Sequence, residues 1–438
     1  MATGLPAKLR SRNARGDGGP VALAYAGKRP REEILAEPPH AFSTVWDGGG
    51  ENRLYCADNL LVLRSLLHDP AVAGQVRLVY IDPPFATRSR FQSRRLDHAY
   101  EDVHSGAAYL EQLRERLILL HALLAEDGSL YLHLDEKMVF HVKLVMDEVF
   151  GAGNYRNCIV RKKCNPKNYT RRTYGNVADF ILFYTKSDDF LFTRPVERWT
   201  EERAREYRHV EPETGRRFMK VPVHAPGTRN GATGQPWRGK LPPAGKHWQY
   251  PPETLDELDA RGEIFWSANG NPRRKVYLDE SDGVPVQDIW TEFRDAHNQN
   301  ISVTGYPTEK NPDLLSRIIG ASSKEGDLVL DCYAGSGTTL ATAARLSRRW
   351  IGVDDSVEAF RTMLRRFADG TAPMGDFVGA RKRRSAPPPA PLPLFGAAGD
   401  AALSAHRPTT DFRALAGPAH DPAVDEAVRR FGEVAGRG

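Results

Sequence analysis

From Arg53 onward, short apolar runs alternate with longer segments whose apolar residues recur at helical spacing. Arg53-Leu54-Tyr55-Cys56 predicts a strand, and Asn59 to Leu67 a helix. Val76 to Ile81 is a β-branched apolar run that stops at Asp82-Pro83-Pro84-Phe85. Tyr109 to Leu124 predicts an amphipathic helix, Glu126-Asp127-Gly128 a turn, Ser129 to Leu134 a strand and Met138 to Phe150 a further helix. Strands alternating with helices of this length predict an α/β fold with a doubly wound, mostly parallel sheet.

Periodicity fades after Gly151, apart from a buried strand expected at 179–185. It returns at Pro312 to Ala321 (helix), Asp327 to Cys332 (strand), Thr338 to Leu346 (helix) and Trp350 to Val353 (strand). The expected organisation is a flexible arm (1–20), a first catalytic half (21–155), an insert (156–305), a second half (306–370) and a low-complexity tail (371–438). Strand 179–185 is assigned to the sheet of the catalytic halves, and Gly48-Gly49-Gly50 marks a loop.

Composition narrows this picture only slightly. The formal charge of +5 is a weak hint of a polyanionic partner. Cys56, Cys158, Cys164 and Cys332 match no common zinc spacing, so no metal site is expected. The first twenty residues lack the apolar core of a signal peptide, and no apolar run is long enough to cross a bilayer. A cytoplasmic, nucleoid-associated protein is the expectation.

Two loops carry candidate chemistry. The strand Asp327 to Cys332 runs into Tyr333-Ala334-Gly335-Ser336-Gly337-Thr338-Thr339, which opens a helix. Glycines there allow a tight turn and close approach of backbone to ligand, and amides at the helix start favour a negative group. Asp331 is placed to bind an ammonium, and Asp354, ending the next strand, to accept from ribose hydroxyls. Asp82-Pro83-Pro84-Phe85 also ends a strand, where open α/β sheets bind ligands. An aromatic exocyclic amine is a poor nucleophile because its lone pair is delocalised. The Asp82 carboxylate and the Pro83 carbonyl together would accept both amine hydrogens and free that pair. The paired prolines stiffen the acceptors, and Phe85 offers a flat face to a flipped base.

With both motifs in place, residues 21 to 370 resemble the β-group amino-methyltransferases of DNA, close to the modification subunits of type III restriction systems. The likeness extends to Ala57-Asp58-Asn59-Leu60, Asp147-Glu148-Val149-Phe150-Gly151, Asp179-Phe180-Ile181-Leu182-Phe183-Tyr184 and Tyr306-Pro307-Thr308-Glu309-Lys310. It implies the Rossmann-like methyltransferase fold, S-adenosylmethionine as methyl donor, and target recognition between the two motifs. By the same likeness Asp58 would contact the cofactor's adenine, and Lys310 would lie near its methionine end. Aspartate before the proline pair is the family's commoner choice for adenine N6. Cytosine N4 and a specificity subunit of a restriction system stand as alternatives.

Arg161, Lys162, Lys163, Lys167, Arg171 and Arg172 form a basic run, and Arg238 and Lys246 fall in a second region mixing cations with Trp237, His247 and Trp248. These are the expected contacts to double-stranded DNA. His133 and His141 read as structural. Further expected partners are a second copy in a homodimer, a restriction subunit and, through Pro391-Leu392-Pro393-Leu394-Phe395, a sliding clamp.

Overall fold

The computed structural model describes residues 23–84, 90–92, 98–101, 106–166, 172–295, 302–304, 306, 309–373 and 408–436. The clamp-like segment, Phe85, Lys167 and Arg171 lie outside them.

The described chain contains a ten-stranded sheet: β1 (Ser43–Asp47), β2 (Asn52–Cys56), β3 (Val76–Ile81), β4 (Leu124–Leu134), β5 (Tyr155–Lys162), β6 (Ala178–Thr185), β7 (Ile289–Trp290), β8 (Leu328–Asp331), β9 (Arg349–Asp354) and β10 (Phe412–Ala416). Its order is β1-β10-β2-β9-β8-β3-β4-β6-β5-β7. From β10 through β4 every neighbour is parallel, whereas β6 runs antiparallel to both β4 and β5. The mostly parallel α/β architecture is thus present, and β8 and β3, each followed by a candidate loop, are direct neighbours.

Seven helices recur below: α1 (Asn59–Leu67), α2 (Ala107–Leu123), α3 (Val139–Phe150), α4 (Pro312–Ser322), α5 (Thr338–Arg345), α6 (Val357–Asp369) and α7 (Pro422–Ala435). Their starts follow local chemistry. Asp58, Asn311, Ser356 and Asp421 each cap a helix by accepting a backbone N–H, and Pro312 and Pro422 stand in first turns. The aliphatic core joins β3, β4 and β8 to α1, α2 and α3 through residues such as Val79, Leu63, Leu117, Leu132, Met146 and Leu330. Glu126-Asp127-Gly128, expected as a turn, lies inside β4, where the pairing with β3 shifts between Leu124 and Ser129.

Two expected boundaries move. Of the expected insert, β5 is a strand of the large sheet as well as β6, the strand already assigned to it. A separate compact unit spans Arg194–Val286. It contains a four-stranded antiparallel sheet and a core in which Trp237 and Trp248, each 2% exposed, pack with Leu255 and Ile264. Those two tryptophans are structural rather than surface aromatics.

The expected tail also ends early, because residues 408–436 are folded. Phe412, Ala414 and Ala416 are buried on alternate positions of β10, and Val424, Ala427, Val428 and Phe431 on one side of α7. Phe412 joins an aromatic cluster with Trp350, Phe367 and Phe431, which Trp46 extends. The loop before β2 needs its glycines here. A Cβ at Gly48 would fall 1.7 Å from the Thr410 carbonyl oxygen, and one at Gly50 1.8 Å from that of Asp411.

Candidate active site

β3 is apolar and almost wholly buried, so the first polar side chain it can present is the one beyond its end, Asp82. Register continued one step from the Ile81–Leu132 pair sets Asp82 beside His133. Lys310 Nζ lies 2.7 Å from Asp82 Oδ2. The other oxygen, Oδ1, is buried and accepts no hydrogen bond from the described residues. Asp82, Pro83 and Pro84 therefore stand at the strand end as expected, with one acceptor open.

On the neighbouring strand, β8 delivers Asp331 and then the glycine loop. Gly335 and Gly337 take φ of +51° and +73°, the left-handed region that disfavours side chains. A Cβ at Gly337 would also meet Met363 Cγ at 2.7 Å. Asp331 Oδ1 accepts from Tyr333 N at 3.0 Å, and the Thr339 hydroxyl bonds the same carboxyl. Asp354 accepts from Gly335 N at 2.8 Å and Ser356 N at 3.0 Å, so it fixes the loop from the side. Ser336 and Thr338 hydroxyls pair at 3.0 Å. Burial, then the nearby Asp82 charge, pushes the Asp331 carboxyl up to about 7. Burial and then Asp355 push Asp354 up to about 7.

The segment ending in Lys310 ties the two loops together. Tyr306 lies against Gly335, at ordinary van der Waals distance from a built Cβ. Glu309 forms a buried ion pair with Arg366 of α6, whose guanidinium also reaches Ser336 Oγ at 3.5 Å. Asn59 adds a second tie, donating to the Cys332 carbonyl at 2.7 Å while accepting from Arg116. Asp58 caps α1 and pairs with Arg116 at 3.5 Å.

Behind Asp82 runs a buried polar chain. Tyr80 Oη meets His133 Nδ1 at 2.9 Å, and His133 Nε2 meets Asp179 Oδ2 at 3.3 Å. Asp179 pairs with Arg161 at 3.2 Å and with Lys163 at 2.9 Å, and Arg161 continues to Asp295. Burial alone would raise Asp179. His133, Lys310 and Lys163 outweigh it and hold the carboxyl well below the ordinary range. His133 is lowered by burial and then by Lys310, which favours the neutral ring.

This chain corrects one expectation. Arg161 is 0% exposed and donates to Asp179, Asp295 and the Phe293 carbonyl, so it is an interior cation and not a surface contact. Lys162 and Lys163 are half-buried, and Arg172 is exposed. In the 194–286 unit Lys246 is exposed, while Arg238 pairs with Asp256 and Asp259. Sequence reading missed Glu309, Arg366, Asn59 and the role of Asp179. Glu309, Asn59 and Asp179 stood inside quoted motifs, but only the fold shows which partners they meet.

Among the described residues no helix is long and apolar enough to cross a membrane. The N6_N4_Mtase family model, described as DNA methylase, matches residues 76–365. The chain is 45% identical over 369 residues to Type II methyltransferase M.EcaI of Enterobacter cloacae, covering 82% of this chain and 80% of that one. It is 26% identical to the StyLTI Mod subunit, a type III restriction-modification enzyme of Salmonella typhimurium, over 73% of this chain and 53% of the relative. Type II methyltransferase M.KpnI of Klebsiella pneumoniae is 25% identical over 67% of this chain and 76% of its own. With Asp82 and the glycine loop at the ends of adjacent strands, and the family model matched from β3 to α6, the chain belongs to the N6/N4 DNA methylase family.

Proposed function

We propose that this protein is a site-specific DNA methyltransferase that modifies adenine N6 in double-stranded DNA, as the modification enzyme of a restriction system. One observation supports the reading: Asp82 and the glycine loop follow the adjacent strands β3 and β8, with Lys310 on Asp82 and Tyr306 on the open side of Gly335. The methyl donor is S-adenosylmethionine, which when bound supplies an electrophilic methyl group. The residues fit it. Asp331 has no cation against it among the described residues and would receive the ammonium, and the turn at Gly335 and Gly337 leaves room for close approach. Asp58 and Asp354 would serve the adenosyl end.

Asp82 accepts one amine hydrogen through Oδ1, which has no donor among the described residues, and the Pro83 carbonyl accepts the other. Holding both hydrogens in fixed directions keeps the nitrogen lone pair off the ring, and preorganised acceptors need no rearrangement as charge develops. The Asp82 carboxylate is also placed to take the proton the nitrogen sheds. Arg172, Lys162, Lys163, Lys246 and the 194–286 unit are the proposed DNA contacts.

The test is transfer of a labelled methyl group to DNA, followed by hydrolysis to nucleosides. N6-methyladenine is expected. N4-methylcytosine would overturn the choice of base, and no transfer under conditions where the donor binds would overturn the activity.

A further inference from the structure

Four neighbouring strands carry one polar row into the apolar interior. Tyr80 of β3 pairs with Tyr131 of β4, so Asp82, two residues on, falls in line with His133. His133 pairs with Ile181 of β6, and Asp179, two residues along that strand, shares its face. Arg161 of β5 stands directly opposite Asp179. His133, Asp179 and Arg161 are all buried. Apolar side chains would fill this space at less cost, because each ion of a buried pair must first give up its water. Packing alone does not account for the row.

Its charges alternate. Asp82, Asp179 and Asp295 stand against Lys310, Arg161 and Lys163. Lys310 sits on Asp82 and is near enough to His133 and Asp179 to bear on the charge of both. The strand that carries His133 lies between those of the two acids, and both ring nitrogens are engaged, by Tyr80 and by Asp179. The neutral ring therefore separates the acids without carrying charge itself. When the methylated nitrogen sheds its proton, an N–H bond breaks, the electron pair stays on nitrogen and an O–H bond forms at Asp82 Oδ1. The anion 2.7 Å from Lys310 is thereby neutralised. An ammonium so little exposed is then harder to hold, which opposes the proton transfer. Asp179 is the next acid across the sheet.

We propose that Asp179 is a positioning residue for methyl transfer, acting through Lys310 as the second anion that holds this ammonium while Asp82 is neutral. The proposal rests on amine methylation at Asp82. It gives a buried acid outside both loops a part in the transfer step.

The experiment is a double-mutant cycle on the full chain, read as the single-turnover rate of methyl transfer with S-adenosylmethionine and DNA both saturating. Asp179→Asn should slow transfer about tenfold, with S-adenosylhomocysteine and DNA affinities within a few-fold of wild type. In a Lys310→Met background the same substitution should slow it less than about twofold, because the charge it acts through is gone. Equal factors in the two backgrounds overturn the proposal and leave Asp179 as a structural partner of Arg161 and Lys163. Should Asp179→Asn fail to fold, Asp179→Asn combined with Lys163→Met decides, since it removes both ions of one pair and leaves Arg161 with Asp295. That combination should slow transfer more with Lys310 present than without it, and an equal cost overturns the proposal. Absence of transfer by the wild type overturns instead the methylation reading.

Discussion

The two halves of the site bury acids in opposite ways. Asp82 has a cation at 2.7 Å in Lys310, and Asp179 has Arg161 and Lys163. Among the described residues Asp331 and Asp354 meet hydrogen-bond donors and no cation, and burial pushes both carboxyls up to about 7. On the roles proposed for Asp82 and Asp331, the difference between those two acids follows the ligand group each would receive. A neutral amine brings no charge, so the acid that receives it must come with its own counter-ion. An ammonium would bring the missing charge itself, so the proposed receiving acid, Asp331, needs no counter-ion of its own before binding. A buried carboxylate without a counter-ion is costly, which is why burial raises both carboxyls.

The contrast can be broken at four points. Asp82→Ala should lower turnover by about 10³-fold, the loss typical of removing a preorganised polar group, while S-adenosylhomocysteine affinity stays within a few-fold. Equal loss in both measurements would show that the two halves are not separable. Arg161→Met should act on stability and not on DNA, because it removes a buried cation that Asp179, Asp295 and the Phe293 carbonyl share. About 3 kcal/mol is expected in denaturant unfolding, with an unchanged salt dependence of DNA binding. A shallower salt slope would return Arg161 to the DNA surface.

Lys310→Met should reduce turnover by roughly tenfold to a hundredfold, the worth of a charge-assisted contact. Lys310→Arg should restore part of it, since arginine keeps the charge but not the geometry. Full activity in the methionine variant would remove the counter-ion from the comparison. The smallest effect is in pH. A carboxyl raised to about 7 is mostly neutral below that pH and cannot pair with an ammonium. S-adenosylhomocysteine affinity should therefore weaken as pH falls below 7, by at most about tenfold per unit for each proton taken up. Asp331→Asn should bind more weakly at pH 8 and show a flatter profile. A wild-type affinity independent of pH between 6 and 8 would contradict the unpaired state of Asp331.

Much of the site was legible because parallel strands concentrate their signal. A buried strand reads as one apolar run, so its end, and the polar residue beyond it, stands out at Ile81-Asp82 and Leu330-Asp331. The Lys310 contact was not legible, since an ion pair between residues far apart in the chain leaves no local pattern. Arg161 was misread for a related reason. It opens a run of surface-type cations, and only its register opposite Asp179 in β6 turns it inward. In the C-terminal stretch the helical spacing of Val424, Ala427, Val428 and Phe431 was present, but the proline- and alanine-rich residues before it obscured the change. Gly48 and Gly50 marked a close approach whose other party, Thr410 and Asp411, no local reading could supply.

The position of β10 has a consequence for biosynthesis. Among the described residues β1 joins the sheet through β10, the last of its strands in the chain order. At roughly 5–20 residues per second, β1 and the open flank of β2 wait tens of seconds for their neighbour. Throughout that interval the nascent polypeptide carries Asp82 and, later, the glycine turn without the strand that lies between β1 and β2, so completion of this edge follows the synthesis of β10.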